Sequence, residues 1–208
     1  MKFILLVEGH TEKISIESFF KKWLDPQLKH PIQIQSVRFN GGGDFKRKMI
    51  KKTNDYLNSR QNEEIIAVIG LLDLYGTDIF PSRLTSVKDR YEWGVNHFEK
   101  LVNCSNRFHM FFAVHEYEAW LLSQPGIFPK NMQNDLKKIS RPETVNFDRP
   151  PAKHLDNLYK KHMDRGYKKR VYGQQLFRKL VPDTAIKKCP YLREMLSTML
   201  KLAQEAGV

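Results

Sequence analysis

The chain has 208 residues, of which 41% are hydrophobic, 28% are charged and 12% are aromatic. This composition is sufficient for one large domain, or for one domain with an appended subdomain, and it excludes a low-complexity chain. No apolar stretch approaches the roughly 20 residues that a membrane span needs, so we expect no membrane association.

The formal net charge of +12 is unevenly distributed along the chain. Residues 1–123 hold 17 Lys and Arg against 15 Asp and Glu, whereas residues 124–208 hold 18 against 8, a net charge of +10. A basic surface of this density attracts polyanions, so nucleic acid (DNA or RNA) is the predicted partner. The alternative is a basic surface that serves only solubility.

The two cysteines, Cys104 and Cys189, are isolated in the sequence. They form neither a metal-binding motif nor a disulfide framework, which predicts a reducing, cytoplasmic location. The apolar residues 3–7 superficially suggest a signal peptide, but Glu8 and Glu12 end that run too early for one.

The predicted elements begin with an apolar strand at residues 2–7, typical of a strand covered on both faces. Thr11 is expected to cap a helix whose apolar positions continue to Leu24 and which Pro26 ends. Residues 32–39 favour a second strand. The glycine run 41–43 predicts a turn, after which Asp44 caps a basic helix that reaches about Arg60.

A third apolar strand is predicted at residues 65–72, a helix at 86–101, a fourth strand at 108–114 and a short helix at 116–122. Strand and helix therefore alternate four times. This alternation predicts an α/β fold with a mostly parallel four-stranded sheet flanked by helices.

The character of the sequence changes after Ser123, where prolines become frequent and continuous apolar runs disappear. We interpret residues 1–123 as an α/β domain. Residues 124–208 are interpreted as a basic, helical, loop-rich C-terminal extension packed on that domain.

Acidic residues follow three of the four predicted strands. Glu8 follows the first strand, Asp73 the third, and Glu116 and Glu118 the fourth. In parallel sheets, functional groups gather at the carboxyl ends of the strands. Carboxylate oxygens are the ligands preferred by hard cations, so the pattern predicts a Mg²⁺ or Mn²⁺ site at this edge. The alternative is that these acids cap helices or form ion pairs.

Several segments resemble one TOPRIM-like (Rossmann-like) family of unknown function, which is related to the TOPRIM nucleases of the overcoming-lysogenization-defect (OLD) group. The matching segments are Val7-Glu8-Gly9-His10-Thr11-Glu12 (VEGxTE), Asp73-Leu74-Tyr75-Gly76 with Phe80-Pro81, His115-Glu116-Tyr117-Glu118-Ala119-Trp120-Leu121-Leu122, Arg141-Pro142-Glu143-Thr144-Val145-Asn146, Pro151-Ala152-Lys153, Tyr167-Lys168-Lys169 with Gly173, and Cys189-Pro190. The resemblance covers nearly the whole chain.

The resemblance implies a TOPRIM fold in which Glu8 binds metal and transfers protons. Glu12 would be a second acid of the first motif, and Asp73 corresponds to the first Asp of the DxD motif. Glu116 and Glu118 would complete the metal site. Tyr75 stands where the second Asp of DxD is usual, which places the occupancy of a two-metal site in question. Asp78 is near enough to compensate, or it begins a turn.

Basic residues and histidines near these motifs are further candidates. Lys153 and Lys169 fall at basic positions of the family pattern, and a lysine near a metal site stabilises transition-state charge. The run Lys168-Lys169-Arg170 is expected to bind a nucleic-acid backbone. His10 is a candidate phosphate contact, whereas His115 is interpreted as structural rather than as a metal ligand or proton shuttle.

The leading hypothesis is a metal-dependent nuclease that acts on DNA or RNA. The resemblance suggests a role in prokaryotic defence against phage or foreign DNA, together with an ATPase. The glycine run lacks the Lys-Ser/Thr of a Walker motif, so the ATPase is expected to be a separate partner. The alternative is a non-catalytic adaptor or regulator of that ATPase. The sequence leaves open whether the chain forms a homo-oligomer.

Overall fold

The structure is a computed structural model that describes residues 1–76, 79–102, 106–144 and 149–208, with the side chains of residues 10–14 left out of the description. The strands are β1 (Lys2–Val7), β2 (Gln33–Arg38), β3 (Ile65–Asp73) and β4 (Phe108–Ala113). The α-helices are α1 (His10–Leu24), α2 (Gly42–Leu57), α3 (Val87–Leu101), α4 (Glu118–Leu122), α5 (Lys130–Leu136), α6 (Pro151–Met163), α7 (Gln174–Lys179), α8 (Pro182–Lys188) and α9 (Pro190–Glu205). Short 3₁₀ turns lie at Asp25–Gln27, Asn62–Glu64, Pro125–Ile127 and Pro142–Thr144, and a single π-helical turn lies at Lys169–Gly173.

The four strands form one parallel sheet in the order β2-β1-β3-β4. Val7 is paired with Arg38 on one side and with Leu71 on the other, and Asp73 is paired with Ala113. The carboxyl ends of the strands are therefore aligned at one edge of the sheet. This arrangement confirms the predicted α/β fold with a mostly parallel four-stranded sheet.

Both faces of the sheet are covered, because side chains alternate between two hydrophobic clusters. In β3, Ile69 and Leu71 belong to one cluster, whereas Val68 and Leu72 belong to the other. On the second face α3 approaches β4 so closely that a Cβ atom added to Gly94 would lie 2.6 Å from the Phe112 ring. Burial on both faces explains why these strands are apolar throughout rather than alternating.

Residues 124–208 share the first of these clusters with the sheet. Phe177 of α7 contacts Phe19 of α1 edge to face at 5.8 Å, and Phe19 stacks on Trp120 at 6.2 Å. In α9 the buried residues Leu192, Met195, Leu196, Met199 and Ala203 recur at helical spacing. This periodicity, rather than a continuous apolar run, supplies the apolar surface of the extension.

At each outer strand of the sheet a glutamate accepts a backbone hydrogen bond. Glu17 of α1 accepts the Ser36 N–H of β2 at 2.9 Å, and Glu99 of α3 accepts the Met110 N–H of β4 at 3.0 Å. Charged groups at edge strands disfavour pairing with other chains. No helix among the described residues is long and apolar enough to cross a membrane.

Candidate metal centre

The acids predicted from the sequence lie around the carboxyl edge of the sheet. Because Val7 pairs with Leu71, Glu8 lies one residue beyond this pair on β1, and Asp73 lies two residues beyond it at the end of β3. The loop after β4 is joined to β3 by the Tyr75 N–H, which donates to the His115 carbonyl at 2.8 Å. This bond brings the segment that carries Glu118 beside Asp73.

Two carboxylates and one ammonium form the centre of the site. Lys169 Nζ lies 3.6 Å from Asp73 Oδ2 and 3.2 Å from Glu118 Oε2. The same ammonium lies 4.3 Å from the centroid of the Tyr117 ring. Asp73 Oδ1 is fixed from the other side by the Tyr117 N–H at 3.1 Å. Two acids distant in sequence therefore converge on one cationic position.

Glu118 is the least hydrated member of this group, with a fully buried side chain. Burial raises its pKa to about 7, the Lys169 ammonium opposes this shift, and the nearby Glu116 adds to it. Apart from Lys169, no other residue in the described ranges donates a hydrogen bond to either of its carboxylate oxygens. A buried carboxylate without donors is costly, unless a cation or ligand supplies the missing contacts.

Glu8 is anchored at the neighbouring strand end. Its Oε1 accepts the Gly42 N–H at 3.0 Å, at the start of α2. The preceding Gly41 has φ +87°, a conformation that favours glycine. Gly41 lies beside Glu8, since a Cβ atom added to it would be 3.9 Å from Glu8 Oε1. The predicted glycine turn thus orients Glu8 at the edge of the sheet.

Glu116 has a different environment from Glu118. Its Oε2 accepts the Ala152 N–H at 2.8 Å, so that it binds the first turn of α6. This contact attaches the helical extension to the loop after β4. The structure therefore places Glu118 rather than Glu116 at the ammonium shared with Asp73.

Three residues that the sequence singles out near the metal site are incompletely placed. The Glu12 side chain and Asp78 lie outside the described residues, as does the His10 side chain, predicted to contact phosphate. Tyr75, which replaces the usual second Asp, is 38% exposed. Within the described ranges, no three His, Cys, Asp or Glu side chains form a cluster that could hold a metal ion by itself. Asp73 and Glu118 are therefore the pair that the structure brings together.

His115 is buried, with 1% of its surface exposed. Its burial lowers the imidazole pKa to about 4, and the positive charge of Arg90 contributes to the same shift. The side chain is therefore neutral at physiological pH. Trp120 and Leu121, which follow in the same segment, are buried in the first hydrophobic cluster and belong to the core.

The basic residues predicted from the sequence do not form one uniform surface. Lys153, Lys168 and Arg170 are exposed, whereas Lys169 is directed to the acidic centre. Two further lysines, in α6, form ion pairs within the extension. Lys160 lies 2.6 Å from Asp156, and Lys161 lies 2.9 Å from Asp135.

Sequence reasoning missed two features of the site and its surroundings. Tyr117 contributes both a backbone donor to Asp73 and a ring beside Lys169, and its position between the two glutamates of the HEYE segment was the available signal. Glu143 is a second buried glutamate. Its oxygens accept the Tyr191 and Leu192 N–H groups at the start of α9, at 2.8 and 3.1 Å.

The fold of the chain is similar to that of a solved C-terminal region of an OLD protein. The C-terminal region of the Burkholderia pseudomallei OLD protein superposes with a TM-score of 0.51 and 18% sequence identity, covering 97% of this chain and 98% of that one. The C-terminal region of the Xanthomonas campestris pv. campestris OLD protein gives a TM-score of 0.45 and 20% identity, covering 99% and 98%. At this identity, the Burkholderia match shows a shared α/β fold.

The chain belongs to the family described as domain of unknown function DUF4276, which it matches over residues 7–200. None of the curated proteins matches the chain.

Proposed function

We propose that the chain is a divalent-metal-dependent nuclease of the TOPRIM type, which hydrolyses phosphodiester bonds of DNA or RNA. The observation that carries this proposal is the convergence of Asp73 and Glu118 on a single cationic position. The fold similarity to an OLD C-terminal region supports the same assignment.

The residues at this edge have the chemistry of a Mg²⁺ or Mn²⁺ site. Hard divalent cations prefer carboxylate oxygens, and Glu118 has carboxylate oxygens that lack hydrogen-bond donors apart from Lys169. Asp73 and Glu118 would hold the cation, with Glu8 and Glu12 as further ligands from the first motif. A bound cation supplies Lewis-acid activation of water and stabilises a leaving alkoxide.

The protein groups around the cation have distinct tasks in this proposal. Lys169 stabilises negative charge that develops on the phosphate, since its ammonium already lies between the two acids. Glu8 accepts the proton of the attacking water. Lys153, Lys168 and Arg170 hold the substrate backbone, because the acidic edge itself repels phosphates until a cation is bound.

We further propose that the protein acts in prokaryotic defence, together with a separate ATPase. One solved structure of similar fold is the C-terminal region of an OLD protein, so in that protein a corresponding unit is one part of a longer chain. The sequence of the present chain has no Walker motif, and the proposal therefore assigns nucleotide hydrolysis to the partner.

A second function is favoured by the position of Lys169 itself. Its ammonium already pairs with both Asp73 and Glu118, and Tyr75 removes one carboxylate from the DxD pattern. In a non-catalytic adaptor of the ATPase, this ion-pair network would be purely structural. Binding of Mn²⁺ at the acidic edge separates the two functions, because only the nuclease requires it.

The test is a cleavage assay with the purified chain, with Mg²⁺, Mn²⁺ or EDTA and with or without an ATPase encoded beside it. Substrates include single- and double-stranded DNA, RNA and tRNA, in linear and circular forms that separate endonuclease from exonuclease activity. We expect cleavage that requires the divalent cation. Metal-independent cleavage, or no cleavage under any of these conditions, would contradict the proposal.

A further inference from the structure

The π-helical turn Lys169–Gly173 connects the acidic centre to a separate cleft. Lys169 lies at its first position, and Tyr172, three residues later, lines a cleft of about 320 Å³. Phe128, Tyr159, Arg165, Tyr172, Leu176 and Lys179 contribute to the lining. The acidic centre and the cleft are therefore linked through one short turn of the chain.

One wall of the cleft is aromatic. The ring of Tyr172 stacks on that of the buried Tyr159, with centroids 5.0 Å apart and an interplanar angle of 23°. The guanidinium of Arg165 lies over the Tyr172 ring, 5.1 Å from its centroid. Tyrosine rings and guanidinium planes are the groups on which proteins stack unpaired nucleobases.

The charge of the cleft favours an anionic ligand. Arg165 and Lys179 are both exposed cations, and no Asp or Glu belongs to the described lining. A second cleft, between α3, β4 and α9, has the opposite character, since Glu92, Glu99 and Glu194 line it. The combination of an aromatic wall with two cations matches a flat base attached to a phosphate.

We propose that the Tyr172 cleft binds one unpaired nucleotide of the substrate, with its base on the Arg165 guanidinium, which the Tyr172 ring supports, and its phosphate at Lys179. The proposal rests on the proposed function, which it deepens by assigning a single-stranded substrate. A volume of about 320 Å³ lies at the lower end of small-ligand pockets, and thus suits a single nucleotide rather than a base pair.

The test measures binding separately from cleavage. Fluorescence anisotropy with labelled oligo-dT and oligo-U and with a blunt DNA hairpin, all in EDTA, reports affinity when no metal chemistry is possible. We expect tighter binding of the single strands. The variant Tyr172→Leu should weaken it by about five- to 100-fold, the range for loss of one stacked base. Tyr172→Phe, which retains the ring, should bind as the parent does.

Arg165→Gln provides a second variant that leaves the Tyr159–Tyr172 packing in place. We expect weaker single-strand binding, because the base loses the guanidinium that it contacts. Lys187→Gln, on the exposed surface of α8 outside the cleft, is the matched control and should reproduce the parent. Thermal unfolding confirms that each variant is folded.

The outcomes distinguish this inference from the nuclease assignment. Single-strand binding that is unchanged in folded Tyr172→Leu and Arg165→Gln overturns the cleft proposal, even if metal-dependent cleavage occurs. Tighter binding of the hairpin than of the single strands also overturns it. Single-strand binding that depends on Tyr172, in a chain that cleaves nothing, supports the cleft while rejecting the nuclease.

Discussion

Two buried glutamates of this protein have similarly raised pKa values but differ in the hydrogen-bond donors around their carboxylates. Burial raises the pKa of both Glu118 and Glu143 to about 7. Glu143 accepts two backbone N–H groups at the start of α9, so both of its oxygens are used to hold a helix. Apart from the Lys169 ammonium, no other described residue donates a hydrogen bond to the Glu118 carboxylate.

The comparison teaches that a raised pKa alone does not identify a functional acid. What separates the two regions is the use of the carboxylate oxygens: those of Glu143 already have protein donors, whereas those of Glu118 are directed to a cationic position shared with Asp73. Glu143 therefore has a structural role, and we propose a chemical role for Glu118.

The largest effect is expected from removing charge at the acidic edge. Asp73→Asn, Glu118→Gln and Glu8→Gln preserve shape but remove the charge that holds the cation, and each should reduce cleavage by at least about 100-fold. Initial rates at saturating Mn²⁺ measure the loss. Glu143→Gln, assayed at a temperature where it is folded, is the matched control and should retain cleavage. Full activity in all three edge variants would place the chemistry elsewhere.

Lys169→Met separates catalysis from cation binding. Loss of the ammonium should reduce cleavage by about 100-fold, since charge on the phosphate is no longer stabilised. The same variant should bind Mn²⁺ at least as tightly as the parent, because Asp73 and Glu118 lose their competing cation. Isothermal titration with Mn²⁺ checks this. Weaker Mn²⁺ binding would show that the lysine organises the acids instead of competing with the metal.

The Glu143 region should be visible in the pH dependence of stability. Because the folded-state pKa is raised, the contribution of Glu143 to the free energy of unfolding is largest below about pH 4.5 and falls as pH rises through 7. Glu143→Gln removes this contribution, so the fall in stability between pH 5 and 8 should be smaller by roughly 3 kcal/mol. Urea unfolding at both pH values measures it. A fall as large as in the parent would contradict the raised pKa.

The smallest effect is expected on the exposed basic surface. Lys168→Ala combined with Arg170→Ala should weaken binding across many nucleic-acid sequences and reduce the salt slope by about one unit per lost contact. Lys169 is left unchanged, because its ion pairs connect it to the acidic centre. Anisotropy titrations between low and moderate salt give the slope. An unchanged slope would favour a solvated surface or a docking surface for an acidic protein.

The strands and most helices of the first part of the chain follow from the sequence, because their hydrophobic patterns are local. The alignment of Glu8 and Asp73 at one edge also follows, since it depends only on a parallel sheet. The different contacts of Glu116 and Glu118 cannot be predicted in this way, because both residues follow the same strand. They are decided by the Ala152 N–H of α6, a contact between segments distant in sequence.

The contacts of the extension are also difficult to predict from sequence, because they join segments that are distant in the chain. Its buried surface is distributed at helical spacing in α9 rather than in a run, and Glu143 acquires its role only when α9 packs against it. Lys169 was identified as a candidate, but its proximity to Asp73 required the folded chain. The Tyr159–Tyr172 stack likewise joins α6 to the π-helical turn and has no local signature.

The most direct test of the central claim is the binding of Mn²⁺ to the metal-free protein at pH 8, followed by the electron paramagnetic resonance signal of free Mn²⁺. The account predicts that the parent binds Mn²⁺ and that Glu143→Gln binds it equally well. It also predicts that affinity in Glu118→Gln falls by at least about tenfold, since even changes beyond the direct ligands cost 10–100-fold. Equal binding by the parent and Glu118→Gln, or no binding by the parent, would contradict the assignment of this edge as a metal centre.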